Sequence, residues 1–182
     1  MVFSSLLFTF LFFILCMSVY LLIVRTKGSA SAGNVVLLVA SLIFYAFGGP
    51  LLIFLLSGMT LICWGGALLL HRQQTVGRKK AVLAGTLVLS LGLLGYFKYA
   101  NLLVTTAQFI FGQPISSPGI VLPIGISFYT FQLLSYVIDV YRGSVEPQKK
   151  YWLLLLYSSL FHQCIAGPIV RYHDIEQEIL DR

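Results

Sequence analysis

No Asp, Glu, Lys or Arg occurs between Gly28 and His71, and from Ala81 to Ile138 the only charged residue is Lys98. This clustering constrains the fold of the 182-residue chain more than any other feature. A water-soluble domain must turn polar helix faces to solvent, and stretches this long without a charge cannot supply them. Only 10% of the chain is charged, against about 25% in ordinary soluble domains, and 58% is apolar. The sequence therefore reads as an all-α, polytopic integral membrane protein. A soluble enzyme, a nucleic-acid binder and a disordered tail are excluded.

About six apolar runs can be placed. Ser5 to Val24, at about 1.5 Å per residue, spans a ~30 Å hydrocarbon core. Small residues at Ser29-Ala30-Ser31-Ala32 resemble a signal-peptide cleavage site. However, Arg25 and Lys27 follow the run instead of preceding it, so it reads as a retained first span. Asn34 to Phe47 and Leu51 to Leu70 are separated by Gly48-Gly49-Pro50, a helix-breaking turn. The first of these two runs is short for a crossing, so it is either tilted or begins inside the preceding loop. Ala81 to Phe111 counts as one passage interrupted at Lys98, and Ile120 to Ile138 and Tyr151 to Val170 complete the six. Beyond Arg171, Ile175, Ile179 and Leu180 recur at amphipathic helical spacing. Residues 1–182 form a single membrane domain on this reading.

With six crossings, three gaps fall on one side: Arg25 and Lys27, Arg72 to Lys80, and Arg142 to Lys150. They hold nine of the twelve basic residues, so that side is cytoplasmic and the N-terminus lies outside, in a multi-pass plasma-membrane protein. Orientation thus accounts for the net charge of +6, and nucleic acid is not an expected partner. Cys16, Cys63 and Cys164 sit inside apolar runs with no C-x-x-C pair and read as packing residues.

Two stretches carry candidate chemistry. Broken or re-entrant helices are expected near 120–132 and 162–172, where Pro123, Gly125, Gly167 and Pro168 free backbone groups that lipid cannot satisfy. In the first, Ser127, Tyr129, Thr130 and Gln132 either line a substrate path or sit on a kinked helix with their hydroxyls bonded back to the backbone. The residues leave both readings open. In the second, His162 is an ionisable group within a span, which is a functional signal by default, and histidine can act as a general base. No Ser/His/Asp set and no metal-ligand spacing accompanies it, so a structural role weighs more, and no metal site is expected. Lys98, between Phe97 and Tyr99, snorkels to an interface or binds an anionic group. Asp139 and Arg142, three apart at the end of a run, are expected to pair on one helix face, or else to meet a cytoplasmic substrate. His71 and His173 carry no special signal.

Six pieces in order resemble the membrane-bound O-acyltransferase family. They are Phe3-Ser4-Ser5, Ser41 to Gly48, Gly95 to Asn101, Leu122 to Gln132, Tyr136 to Gly143, and Ile165 to Tyr172. Within the family the match resembles the bacterial branch of alginate O-acetyltransferase membrane subunits and teichoic-acid D-alanyl transfer proteins. The resemblance implies helices around a thinned centre, where an acyl donor from the cytoplasmic side meets an acceptor hydroxyl on the outer side. It implies no bound cofactor; the acyl donor, a thioester or a carrier-linked acyl group, is a co-substrate. Ser127, Tyr129, Gln132, Lys98, Asp139, Arg142 and Arg171 become candidate path residues.

The resemblance also implies a general-base histidine beside Trp and Gly in the second half of such proteins. Here Trp64 and Trp152 lie far from any histidine, and proline is common in the family where His162 stands. The chain is therefore expected to be an incomplete N-terminal portion of a longer acyltransferase, inactive alone. Expected partners are the bilayer, a polysaccharide acceptor such as alginate, and an extracytoplasmic acetyltransferase or a cytoplasmic acyl carrier. D-alanyl transfer to teichoic acid is the alternative within the family. A membrane transporter, whose substrate sites also use broken helices, or a non-catalytic scaffold is the alternative outside it.

Overall fold

The structure, a computed structural model, describes residues 8–27, 30–111, 125–160 and 170–180. Within the described residues a π-helical turn at Phe8–Phe13 is followed by seven α-helices: α1 (Ile14–Lys27), α2 (Ala30–Gly48), α3 (Pro50–Arg72), α4 (Val76–Phe111), α5 (Ile126–Arg142), α6 (Tyr151–Ser159) and α7 (Tyr172–Leu180). Among the described residues there is no strand.

The boundaries follow local chemistry. Gly49 takes a φ of +134° that a side chain would strain, and Pro50 occupies the first helical position of α3, where its missing N–H costs nothing. α3 closes with His71 and Arg72 in its last turn, cations placed at the negative end of the helix dipole. α5 ends in a Schellman cap: Gly143, left-handed at φ 76°, donates its N–H to the Val140 carbonyl, and Ser144 N–H reaches the Asp139 carbonyl.

α3 is the central helix, packing against α2, α4, α5 and α6. Its approach to α4 is close at Gly66, where any added Cβ would overlap the Thr86 side chain. The main core gathers Leu56, Met59 and Cys63 of α3, Leu133, Tyr136 and Val137 of α5, Leu154 and Tyr157 of α6, and Tyr172 of α7. A smaller cluster, Cys16 with Phe44, joins α1 to α2.

Among the described residues two segments are long and apolar enough to cross a membrane, Leu52–Arg72 and Val76–Ile110; Phe10–Thr26 and Ser31–Phe47 are shorter apolar helices. Their outward faces carry large apolar side chains, among them Leu22, Phe54, Val88 and Leu103.

Of the two readings of the short run from Asn34, the structure shows the second: α2 begins at Ala30, inside the preceding loop. Other expectations change in detail. Lys98 interrupts nothing: α4 runs through it unbroken, because a charge on an outward face breaks no backbone hydrogen bond as Gly or Pro would. From Ile126 to Gln132 the chain is regular helix, and the left-handed Gly125 starts it; the rest of 120–132 lies outside the described residues. α6 stops at Ser159, and His162, Cys164 and most of the expected second break also lie outside the described residues.

Candidate functional site

α5 is the most polar of the buried helices. Tyr129, Thr130, Gln132, Tyr136 and Asp139 all face inward, so the interior holds groups that need partners. Thr130 answers this locally, its hydroxyl donating to the Ile126 carbonyl one turn back at 2.6 Å. Ser135 does the same to Gln132 at 2.8 Å. Gln132 bridges helices instead: its carboxamide N–H donates to the Tyr157 carbonyl at 3.3 Å, near the end of α6 where helix carbonyls lack partners.

A tyrosine seam continues from there. Tyr157 donates its hydroxyl to the Val170 carbonyl at 2.9 Å, tying α6 to the segment that enters α7. Tyr172 packs edge-on between Tyr136 and Tyr157, with ring centroids 5.1 and 5.2 Å away, and all three rings are fully buried.

Gln148, in the loop before α6, is the hub. Its backbone N–H donates to the Tyr136 hydroxyl at 2.9 Å, and its carboxamide N–H donates to the Tyr172 hydroxyl at 2.8 Å. Its side-chain oxygen accepts the Lys150 N–H at 3.0 Å, and its main-chain carbonyl accepts the Trp64 indole N–H at 2.8 Å. One residue thereby pins α3, α5, α7 and the start of α6. Further polar pins join α3 to α6 and α2 to α7. Thr60 and Ser158 hydroxyls meet at 2.9 Å, Tyr151 donates to the Ser57 carbonyl at 2.9 Å, and Asn34 of α2 donates to the Ile179 carbonyl of α7 at 2.7 Å.

The sequence-predicted residues do not converge on one spot. Ser127, half-buried, with Tyr129 and Gln132, occupies the first half of α5, and Arg142 ends it about 22 Å further along the axis. Asp139 is buried with one carboxylate oxygen lacking a hydrogen-bond partner, while Arg142 is exposed. The expected Asp139–Arg142 pair is thus absent among the described residues: α5 turns Asp139 inward while Arg142, at the helix end, points out. Lys98 is exposed on α4, its ammonium 5.5 Å from the Tyr99 ring centre. Arg171 is exposed just before α7.

Gln148, Tyr157, Tyr172 and Trp64 were not singled out by sequence. The available signal was Tyr and Trp inside apolar runs, whose polar tips need a partner when buried. On α7, outside the apolar spans, burial pushes the Glu176 carboxyl above its ordinary range; His173 nearby opposes the shift and Glu146 adds to it. No group of three His, Cys, Asp or Glu among the described residues could hold a metal. The seam is a positioning device. Its hydroxyls are committed to the fold: those of Tyr136 and Tyr172 accept from Gln148, and that of Tyr157 donates to the Val170 carbonyl.

Fold and seam together define a class: an all-helical domain with the apolar surface of a membrane protein and a polar interior that fixes its helices. The comparisons with known proteins then particularise it. The chain is 36% identical over its whole length to the probable alginate O-acetylase AlgI of Pseudomonas aeruginosa, covering 35% of that protein. It is 37% identical, again over its whole length, to the probable alginate O-acetylase AlgI of Pseudomonas putida, covering 38% of it. The peptidoglycan O-acetyltransferase of Helicobacter pylori is 29% identical over 80% of the chain and 32% of its own length. The likeness to these O-acetylases runs over the whole chain, which spans about a third of the length of the curated relatives it matches. No family model matches the chain, and no solved structure matches it.

Proposed function

We propose that the protein containing this chain is a multi-pass O-acyltransferase that moves an acetyl group onto hydroxyls of an exported polysaccharide. Alginate is the acceptor this reading favours. The observation that carries it is the end-to-end likeness to proteins named as alginate O-acetylases. The acyl donor is a thioester or a carrier-linked acyl group arriving from the cytoplasmic side, and the chain supplies scaffold and part of the path instead of the base. Transfer requires a base to take the hydroxyl proton and a path that aligns acceptor with donor. Ser127, Tyr129 and Gln132 border that path, with Lys98, Asp139, Arg142 and Arg171 as further contacts.

Residues 1–182 act as one domain with the N-terminus outside and about six apolar passages, broken at Gly125, where α5 starts, and near 162–172. The length of α4 supports the layout. From Lys80 to Lys98 is about 27 Å of helix, close to one ~30 Å hydrocarbon thickness. Exposed Tyr96 and Tyr99 flank Lys98 as interfacial aromatics do, so this lysine marks the outer boundary.

The test is acetyl transfer to alginate by membranes holding the whole protein, beside membranes holding residues 1–182 alone. The expected result is acetylated alginate from the whole protein and none from the shorter chain. Turnover by the 182 residues alone would overturn the division of labour. Acetylation of peptidoglycan but not alginate would move the acceptor to the one named for the Helicobacter relative.

A further inference from the structure

Away from the tyrosine seam, a cleft of about 440 Å³ opens where α3 ends, α4 begins and α5 passes into the loop before α6. Its charged walls are Lys79, Arg142 and Glu146, with His71 and Tyr141 as further polar groups and Leu70, Val140 and Val145 as an apolar floor. Among the described residues neither Lys79 nor Arg142 is ion-paired with Glu146 or with buried Asp139, so both cations face the opening unneutralised. Gly143 borders open space beside that opening, and its left-handed cap ends α5 at Arg142, which lines the cleft. Arg72, Arg78 and Lys80 adjoin the cleft along the chain and add to the positive field that draws anions to this end of the bundle.

The size and the charges select a ligand. A single ion or water, at about 30 Å³, would leave the cleft mostly empty, whereas it lies within the ~300–1,000 Å³ range of small-ligand sites. Lysine and arginine side by side are donors suited to phosphate oxygens, and basic pockets between helix ends bind lipid head groups. Glu146 narrows the choice. A carboxylate in the same cleft repels a second negative charge, which disfavours a phosphate dianion and leaves the singly charged phosphodiester. The apolar floor of Leu70, Val140 and Val145 suits the acyl-chain end of a lipid, which a soluble phosphate lacks.

We propose that this cleft binds the phosphodiester of a membrane phospholipid head group, with Lys79 and Arg142 donating to its oxygens and Glu146 excluding dianionic phosphate. The proposal goes beyond the acyl-transfer reading and does not depend on it. The test uses the whole protein, purified in a phosphate-free sugar detergent and stripped of lipid, with phosphatidylglycerol, diacylglycerol and inorganic phosphate as separate probes. Retention is read by native mass spectrometry and by the shift in melting temperature.

Phosphatidylglycerol is expected to be retained and to raise the melting temperature, with no such effect from diacylglycerol or inorganic phosphate. Lys79→Gln and Arg142→Gln should each weaken retention roughly tenfold, the loss of one charge-assisted hydrogen bond, while Arg25→Gln, exposed on α1 and outside the cleft, leaves it unchanged. Glu146→Gln should admit inorganic phosphate. Equal protection by diacylglycerol, or undiminished retention in both cation variants, would overturn the proposal. Protection by inorganic phosphate in place of the lipid, lost in the same variants, would overturn the lipid source and assign the cleft to a soluble phosphate.

Discussion

The α1–α2 contact and the interior shared by α5, α6 and α7 are both buried, yet they are held by different forces. α1 and α2 meet through Cys16 and Phe44 with Phe12, Leu37 and Ala40 around them, and through Gly33, where an added Cβ would lie 2.9 Å from both the Tyr20 ring and a Val24 methyl. Ring contact between Phe12 and Phe44 and close approach of small residues give dispersion contact there, the main attraction left between helices once lipid removes the hydrophobic drive. The α5–α7 interior is tied by Gln148, Tyr157 and Tyr172 through bonds with fixed geometry. Dispersion lets helices slide; a hydrogen-bonded hub fixes register. Ser127, Tyr129 and Gln132, proposed to border the path, lie in the part with the fixed register.

The largest effect should come from Gln148→Leu, which deletes two side-chain hydrogen bonds and strands the buried Tyr172 hydroxyl. A loss of about 3 kcal/mol in unfolding free energy is expected, measured by denaturant titration in detergent. Wild-type stability in that variant would erase the distinction between the two regions. Gly33→Val attacks the other region by bulk and should cost about 2 kcal/mol, since Tyr20 and Val24 must both give way. If it costs nothing, α1 and α2 are not as closely packed as described. Tyr172→Phe sharpens the contrast by keeping the ring and removing only the hydroxyl, at about 1 kcal/mol.

The smallest effect is a pH dependence in α7. Because burial raises the Glu176 carboxyl, the folded state holds that proton more tightly than the unfolded chain does. Stability is therefore greatest below the ordinary glutamate range and declines as pH rises from there through the folded value. A melting-temperature series against pH should show the slope, and Glu176→Gln should flatten it.

Much of the helical layout was legible because it rests on local chemistry. Uncharged runs, the Gly49–Pro50 break and the basic gaps are properties of neighbouring residues, and they mark the elements found. Lys98 misled because a charge was read as an interruption, while helix continuity depends on the backbone. The i, i+3 spacing of Asp139 and Arg142 gave proximity along a helix but not which side chain turns to the core. The Gln148 hub was beyond reach for a different reason. Its partners include Trp64, 84 positions away, and Tyr172, 24 away, and only the folded chain brings them together. Gln132 read equally well as path lining or as structure. Its bond to Tyr157 shows a structural duty that depends on where α6 stops.

α4 imposes a geometric consequence on anything that surrounds it. Its 36 residues make a rod of about 54 Å, and even a steep lean of ~40° lets a ~30 Å layer swallow only about 39 Å of it. Part of the surplus is the cationic first turn at Arg78–Lys80; the remainder emerges at the opposite end, beyond Lys98. Phe109 and Ile110 ride on that protruding tip with their side chains uncovered by the rest of the fold, so shelter for them has to come from head groups or from protein standing above the bilayer.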